Sequence, residues 1–275
     1  MKILTPATLS AQGLVFPESP RWRNGFLWLA DIFGDAILRL NERGEILERI
    51  AVPGARGIDF LPDGTLLFGT SKDGTLYRRD TAGAKPYADL NPFSTRGLND
   101  MMVDAQGRAY VDAYRATPGM PMGSVVLVRP DGSIQEVAPD MATPNGLVIT
   151  PDGKTLIAAQ SAANELTAFS IRPDGSLTGK RTFAKLDGKP DGICLDAEGA
   201  VWVALFEDGK YIRVREGGEV THLISMPGLR TAALMLGGPE RRTLFLCASE
   251  LRPERAHSKG SMHTVRVDVP GAGWP

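Results

Sequence analysis

The sequence predicts an all-β chain folded as a six-bladed β-propeller, on three observations: a recurring strand–turn–strand unit, a turn-rich composition, and no stretch of helical period longer than about ten residues. The unit reads RWRNGFLWLADI (21–32), FLPDGTLLFGTS (60–71), VDAQGRAYVDAY (103–114), ITPDGKTLIAAQ (149–160) and LDAEGAVWVALF (195–206), with a degenerate sixth copy, LGGPERRTLFLCAS (236–249). Its turn glycines are Gly25, Gly64, Gly107, Gly153 and Gly199, in steps of 39, 43, 46 and 46, and a sixth turn falls near Arg241. Steps of that size hold four short antiparallel strands. With 31 Gly and 20 Pro, the 275-residue chain is well supplied with turn residues.

Unit four shows all four strands as GLVITP, TLIAAQSA, ELTAFSIR and GKRTFAKL, separated by Asp-Gly and related turns. A two-sheet sandwich could use the same strands, but it has no reason to repeat at this spacing. A ring of six such sheets has to close. The N-terminal segment 2–9 is expected as an outer strand of the last blade, beside His263–Val269. The expectation is one propeller domain spanning 1–275.

Composition narrows the partners. A formal net charge of −1 gives no reason to expect nucleic acid or an anionic membrane surface. No run of about 18 apolar residues is present, which excludes a transmembrane helix. MKILTPATLSAQG lacks the apolar core of a signal peptide, so the expected location is cytoplasmic. Cys194 and Cys247 sit in apolar runs and are expected as buried free thiols.

In a propeller the first strand of each blade lines the central channel. Counting back eight from the turn glycines gives Arg56, Asn99, Asn145 and Asp191, and counting back seven from Gly25 gives Glu18. Repeat geometry therefore brings Glu, Arg, Asn, Asn and Asp to one channel mouth. Taken singly, Asn145 and Asp191 precede glycines, as turn residues commonly do. Glu18 is held between two prolines that stiffen its backbone. Together, two carboxylates and two carboxamides would concentrate negative charge in a poorly solvated place. One divalent cation resolves that. Oxygen ligands suit Ca²⁺ first, with Mg²⁺, Mn²⁺ or Zn²⁺ also possible.

FPESPRW, RGLNDMMVDAQGRAYV, TPNGLVITPDGKTLIAAQS and KPDGICLDAEGAVWVALF resemble the regucalcin (senescence marker protein 30), gluconolactonase and luciferin-regenerating enzyme family, from about Gly13 to Val269. The resemblance implies a six-bladed propeller with one divalent metal held by Glu18, Asn145 and Asp191. It makes Asn99 a further ligand or a substrate contact, and Asp191 the catalytic acid/base. It also implies hydrolysis of a sugar lactone or similar small lactone. Arg96 stands three residues before Asn99 and, with Arg56, is expected to orient substrate. The segment RATPGMPMG (115–123) reads either as a lid or as a surface loop.

No Gly-x-Ser-x-Gly elbow or His-Glu-x-x-His motif is present, and the three histidines, His222, His257 and His263, lie far from the ring positions. Two other functions fit the same residues: a metal-dependent esterase or phosphotriesterase, and a non-catalytic calcium-binding or docking propeller. The expected assembly is a monomer or small homo-oligomer acting on a small molecule.

Overall fold

The computed structural model describes residues 1–95, 97–115 and 123–273. Arg96 and most of the 115–123 segment, both singled out in the sequence, lie outside the described residues.

Six sheets, each with four antiparallel strands and one of them with an added fifth strand, close into a ring. Their innermost strands are Pro17–Arg23, Ala55–Phe60, Leu98–Val103, Pro144–Ile149, Pro190–Leu195 and Leu229–Gly237, each touching the next and the last touching the first. The turn signals fold as their chemistry requires. Gly25, Gly64, Gly107, Gly153 and Gly199 have φ of 81°, 92°, 77°, 68° and 77°, in the left-handed region open to glycine. Arg241 marks the sixth turn at φ 53°. Side chains hold several of these turns shut: Asp63 accepts from the Thr65 N–H at 2.8 Å, and Asp152 accepts from the Lys154 N–H at 3.0 Å.

Alternation along the strands sends apolar side chains into the wedges between neighbouring sheets. One cluster joins blades three, four and five through Tyr110, Leu127, Leu147, Leu166, Val203 and Ile212. Another joins blades five, six and one through Trp202, Tyr211, Phe245 and Leu29. Both cysteines are free and buried, as expected. Burial pushes the Cys194 thiol up to about 12, so it behaves as a small apolar group. Among the described residues, no helix is long and apolar enough to cross a membrane.

Ring closure differs in detail from the sequence expectation. The segment 2–9 does not form one outer strand. Ala7–Thr8 pairs antiparallel with Thr264 and His263 of Gly260–Arg266, completing blade six. Lys2–Leu4 instead runs parallel to Val220–Ser225 as a fifth strand of blade five. Pro6 lies between the two short strands, where it cannot donate to a ladder. The N-terminal arm thus bridges the last two blades. Inside the ring, Trp22 stacks on Phe245 at 5.5 Å and 13°, fastening blade one to blade six. Replacing Trp22 by Phe is expected to lower stability by about 1–3 kcal/mol through the partly unfilled space. A urea midpoint unchanged from that of the native protein would show that this seam does not hold the ring.

Candidate active site at the channel mouth

A bulge in each inner strand sets the ring residues. Ala55 pairs with Thr70 and Ile58 with Phe68, so Arg56 and Gly57 form a bulge that turns one side chain toward the channel. The same irregularity carries Asn99 and Asp100, Asn145 and Gly146, and Asp191 and Gly192. Four of the five ring residues are therefore strictly equivalent. Glu18 is not. It still pairs with Ala30, and the bulge follows it at Ser19 and Pro20, with Ser19 at φ 46°. A left-handed serine is unusual backbone of the kind found at functional sites. In blade six Thr231 lies before the shift, its hydroxyl 2.7 Å from the Leu205 carbonyl and 3.0 Å from that of Lys210. It serves as a neutral backbone anchor.

The glycines after Asn145 and Asp191 are not turn residues. Both lie inside strands, and neither has a positive φ. Space requires them. A Cβ on Gly146 would sit 2.6 Å from the Ile193 nitrogen and 2.7 Å from the Asp191 carbonyl oxygen. On Gly57 it would sit 2.4 Å from the Asn99 carbonyl oxygen, and on Gly192 2.7 Å from the Ala233 Cα. Adjacent blades meet backbone to backbone here, which narrows the channel and brings the ring side chains together.

The Asn99 Nδ2 lies 3.2 Å from the Asn145 Oδ1, 3.2 Å from the Asp112 Oδ2 and 3.3 Å from the Tyr114 hydroxyl. The Asn145 Nδ2 is 3.4 Å from the Ser161 hydroxyl, which donates to the Pro190 carbonyl at 2.6 Å. Asp191 is buried, and Glu18, Asn99, Asn145 and Arg56 are half-buried. Arg56 has no hydrogen bond or ion pair among the described residues, and burial lowers its pKa. Beneath the ring, the Arg21 Nη2 lies 3.1 Å from the Asp100 Oδ1, and its Nε lies 3.7 Å from the Asp59 Oδ1. The Asp100 Oδ1 also accepts from the Ser19 hydroxyl at 3.2 Å, tying the left-handed residue to blade three.

Burial, and then the Asp100 carboxylate, push the Glu18 carboxyl up to about 7. Burial, then Glu18 and Asp100, raise Asp191 well above the usual carboxylate range, with Arg255 and Asn145 opposing. Burial also raises Asp112 and the Tyr114 phenol strongly, keeping Tyr114 a hydrogen-bond donor. Two carboxyls whose ionisation is disfavoured by burial and by neighbouring carboxylates, flanked by carboxamide oxygens, form a donor set suited to a hard divalent cation. Among the described residues, no three His, Cys, Asp or Glu side chains gather to hold a metal, so carboxamides have to complete any such set.

Counting back from the turn glycines missed Asp100, Asp112 and Tyr114. Asp112 and Tyr114 belong to the second strand of blade three and share a face by alternation, a signal present in AYVDAY. Asp100 is the bulge partner of Asn99, and the counting rule sees only one residue per bulge.

The fold and this mouth define a class: a six-bladed propeller whose channel opens on a buried group of carboxylates and carboxamides. Residues 16–250 match the family model described as the SMP-30/gluconolactonase/LRE-like region, and the chain belongs to that family. It is 27% identical to 6-deoxy-6-sulfogluconolactonase of Pseudomonas putida, over 96% of this chain and 95% of that protein. It is also 27% identical to regucalcin of Xenopus laevis, over 84% of this chain and 82% of that protein. A solved structure of the calcium-binding protein regucalcin from Agrobacterium tumefaciens superposes with a TM-score of 0.84 at 22% identity, covering 100% of this chain and 98% of that one. The last likeness bears on the fold alone.

Proposed function

We propose that this chain is a metal-dependent lactonase that hydrolyses a sugar lactone or a similar small lactone. The observation that carries the proposal is the gathering of two carboxyls, Glu18 and Asp191, both held above the usual carboxylate range chiefly by burial, beside Asn145 and Asn99, in a chain similar to a sulfogluconolactonase. Glu18, Asn145 and Asp191 would hold one divalent ion, Ca²⁺ first among those suited to oxygen donors, with Asn99 as a further ligand or a substrate contact. A bound ion there supplies a fixed positive charge that polarises a carbonyl and acidifies water.

The remaining chemistry belongs to side chains. The Asp191 carboxylate takes a proton from the attacking water as the new C–O bond forms. It then returns that proton to the ring oxygen as the ester C–O bond breaks, leaving the open hydroxy acid. Asn99 and the Tyr114 hydroxyl orient substrate oxygens, and Arg56, free of other partners, supplies a charged donor at the mouth. A pH-indicator assay of aldonolactones alongside paraoxon separates substrate classes: turnover of lactones and none of paraoxon is expected, and the reverse pattern would favour a phosphotriesterase.

Ion binding is expected to release protons. Burial holds the Glu18 carboxyl up at about 7 and Asp191 above the usual range, so below that pH the chelator-stripped mouth carries protons that an ion has to displace. Addition of Ca²⁺ in weak buffer near pH 7 is expected to acidify the solution, and affinity to rise from about pH 6 to about pH 8. Ion binding with no proton release would contradict the assigned ligands.

A further inference from the structure

Beside Asp191, blades five and six present two guanidiniums on one aromatic ring. The Cζ of Arg230 lies 5.3 Å, and that of Arg255 4.9 Å, from the centroid of Phe206. Phe206 directly follows the second strand of blade five, and its carbonyl accepts from the Thr231 N–H at 3.2 Å. Arg230 precedes Thr231 at the start of blade six's inner strand, so the pair flanks the ring position of that blade. Arg255 is close enough to oppose the raised pKa of Asp191 and to lower that of Arg56.

Neither guanidinium has a hydrogen-bond acceptor or carboxylate partner among the described residues. Arg230 is only 8% exposed, and its Nε and Nη1 are buried without an acceptor. Glu207 stands nearby, but Lys189 engages its carboxylate at 2.9 Å. Stacking on Phe206 offsets part of the cost of placing two like charges together, yet it leaves their donor edges unused. Guanidiniums presented this way match carboxylate, sulfonate and phosphate oxygens in charge and geometry. Arg56, the third unpartnered guanidinium of this mouth, adds to the same field.

We infer that Arg230 and Arg255 form an anion clamp, and that the substrate is a sugar lactone bearing a fixed negative charge at the end remote from its ester carbonyl. The inference rests on the lactonase reading and narrows it to a substrate class. Mobile water satisfies a neutral hydroxymethyl group equally well, whereas only an anion removes the repulsion between the two arginines.

The test compares D-glucono-1,5-lactone with its 6-phosphate in initial-rate assays, and gluconate with 6-phosphogluconate in calorimetric titrations. The charged lactone is expected to show kcat/KM about tenfold higher or more, and the charged acid a correspondingly lower Kd. Both ratios are expected to fall towards one in Arg255→Gln and in Arg230→Gln. Arg255 is exposed, so Arg255→Gln keeps the test open if the buried Arg230→Gln fails to fold. Equal handling of neutral and charged ligands by the native protein, or a preference that survives Arg255→Gln, overturns the inference. Hydrolysis of the neutral lactone without any preference for charge removes the clamp and leaves the lactonase. Tighter binding of the charged acid, lost in Arg255→Gln, without hydrolysis of either lactone, keeps the clamp and removes the lactonase.

Discussion

Replacing Asp191 by Asn is expected to lower kcat/KM for the best lactone by about 10³-fold while the propeller stays folded. General acid–base catalysis by one positioned group is worth about 10²–10⁴-fold, and on the proposed reading Asp191 would also supply a charged ligand. Its stability effect has the opposite sign. Burial raises the Asp191 pKa in the folded protein, so the protonated carboxyl is the form favoured by folding. The stability it contributes is present at low pH and is lost as pH rises through the folded pKa. At neutral pH and in the presence of chelator, the neutral amide is therefore expected to leave Tm unchanged or raised. A variant that is inactive because it is unfolded, or one that is folded and fully active, would remove Asp191 from its assigned role. Loss of activity with gain of stability is the usual signature of a site strained for function.

The second large effect is expected at Gly146→Ala. The added Cβ would meet backbone atoms of the next blade at 2.6 and 2.7 Å, distances that no side-chain rotation relieves. Overpacking of this kind costs about 3 kcal/mol, and the displaced backbone carries Asn145 on one side and Asp191 on the other. Stability and activity are expected to fall together. Gly153→Ala is the control: φ is 68° there and nothing lies within 4 Å of the new Cβ, so only left-handed strain of about 1–2 kcal/mol applies, far from the mouth. Urea unfolding of both variants, with rates measured in parallel, checks the contrast. Equal costs at the two positions would show that Gly146 is a conformational glycine and not a spacer between blades.

The ring was legible because its punctuation is local. Turn glycines at regular spacing, three of the five in Asp-Gly or Asn-Gly pairs, announce blades, and the counting rule that follows from them reaches Arg56, Asn99, Asn145 and Asp191 at equivalent bulges. The limits of that rule are physical too. Glu18 is displaced by one residue because its blade uses a tight Asn-Gly turn and a left-handed Ser19, neither of which a fixed offset anticipates. Gly146 and Gly192 look like turn glycines in sequence, because a close approach between distant strands leaves no local pattern. The arm at Lys2–Leu4 is too short for its choice of sheet to show in its residues. Arg230 and Arg255 flank the degenerate sixth copy within blade six, and only the folded ring places them on the Phe206 of the neighbouring blade.

The decisive measurement is the initial rate of D-glucono-1,5-lactone hydrolysis, or of its 6-phosphate if that is preferred, by native protein stripped with chelator and then reloaded with Ca²⁺, Mg²⁺, Mn²⁺ or Zn²⁺. Turnover close to the uncatalysed rate after stripping, restored by at least one ion in the native protein and by none in Asp191→Asn, is the expected result. Full activity in the stripped protein, or no activity on either lactone with any ion, would contradict a metal-dependent lactonase at this mouth.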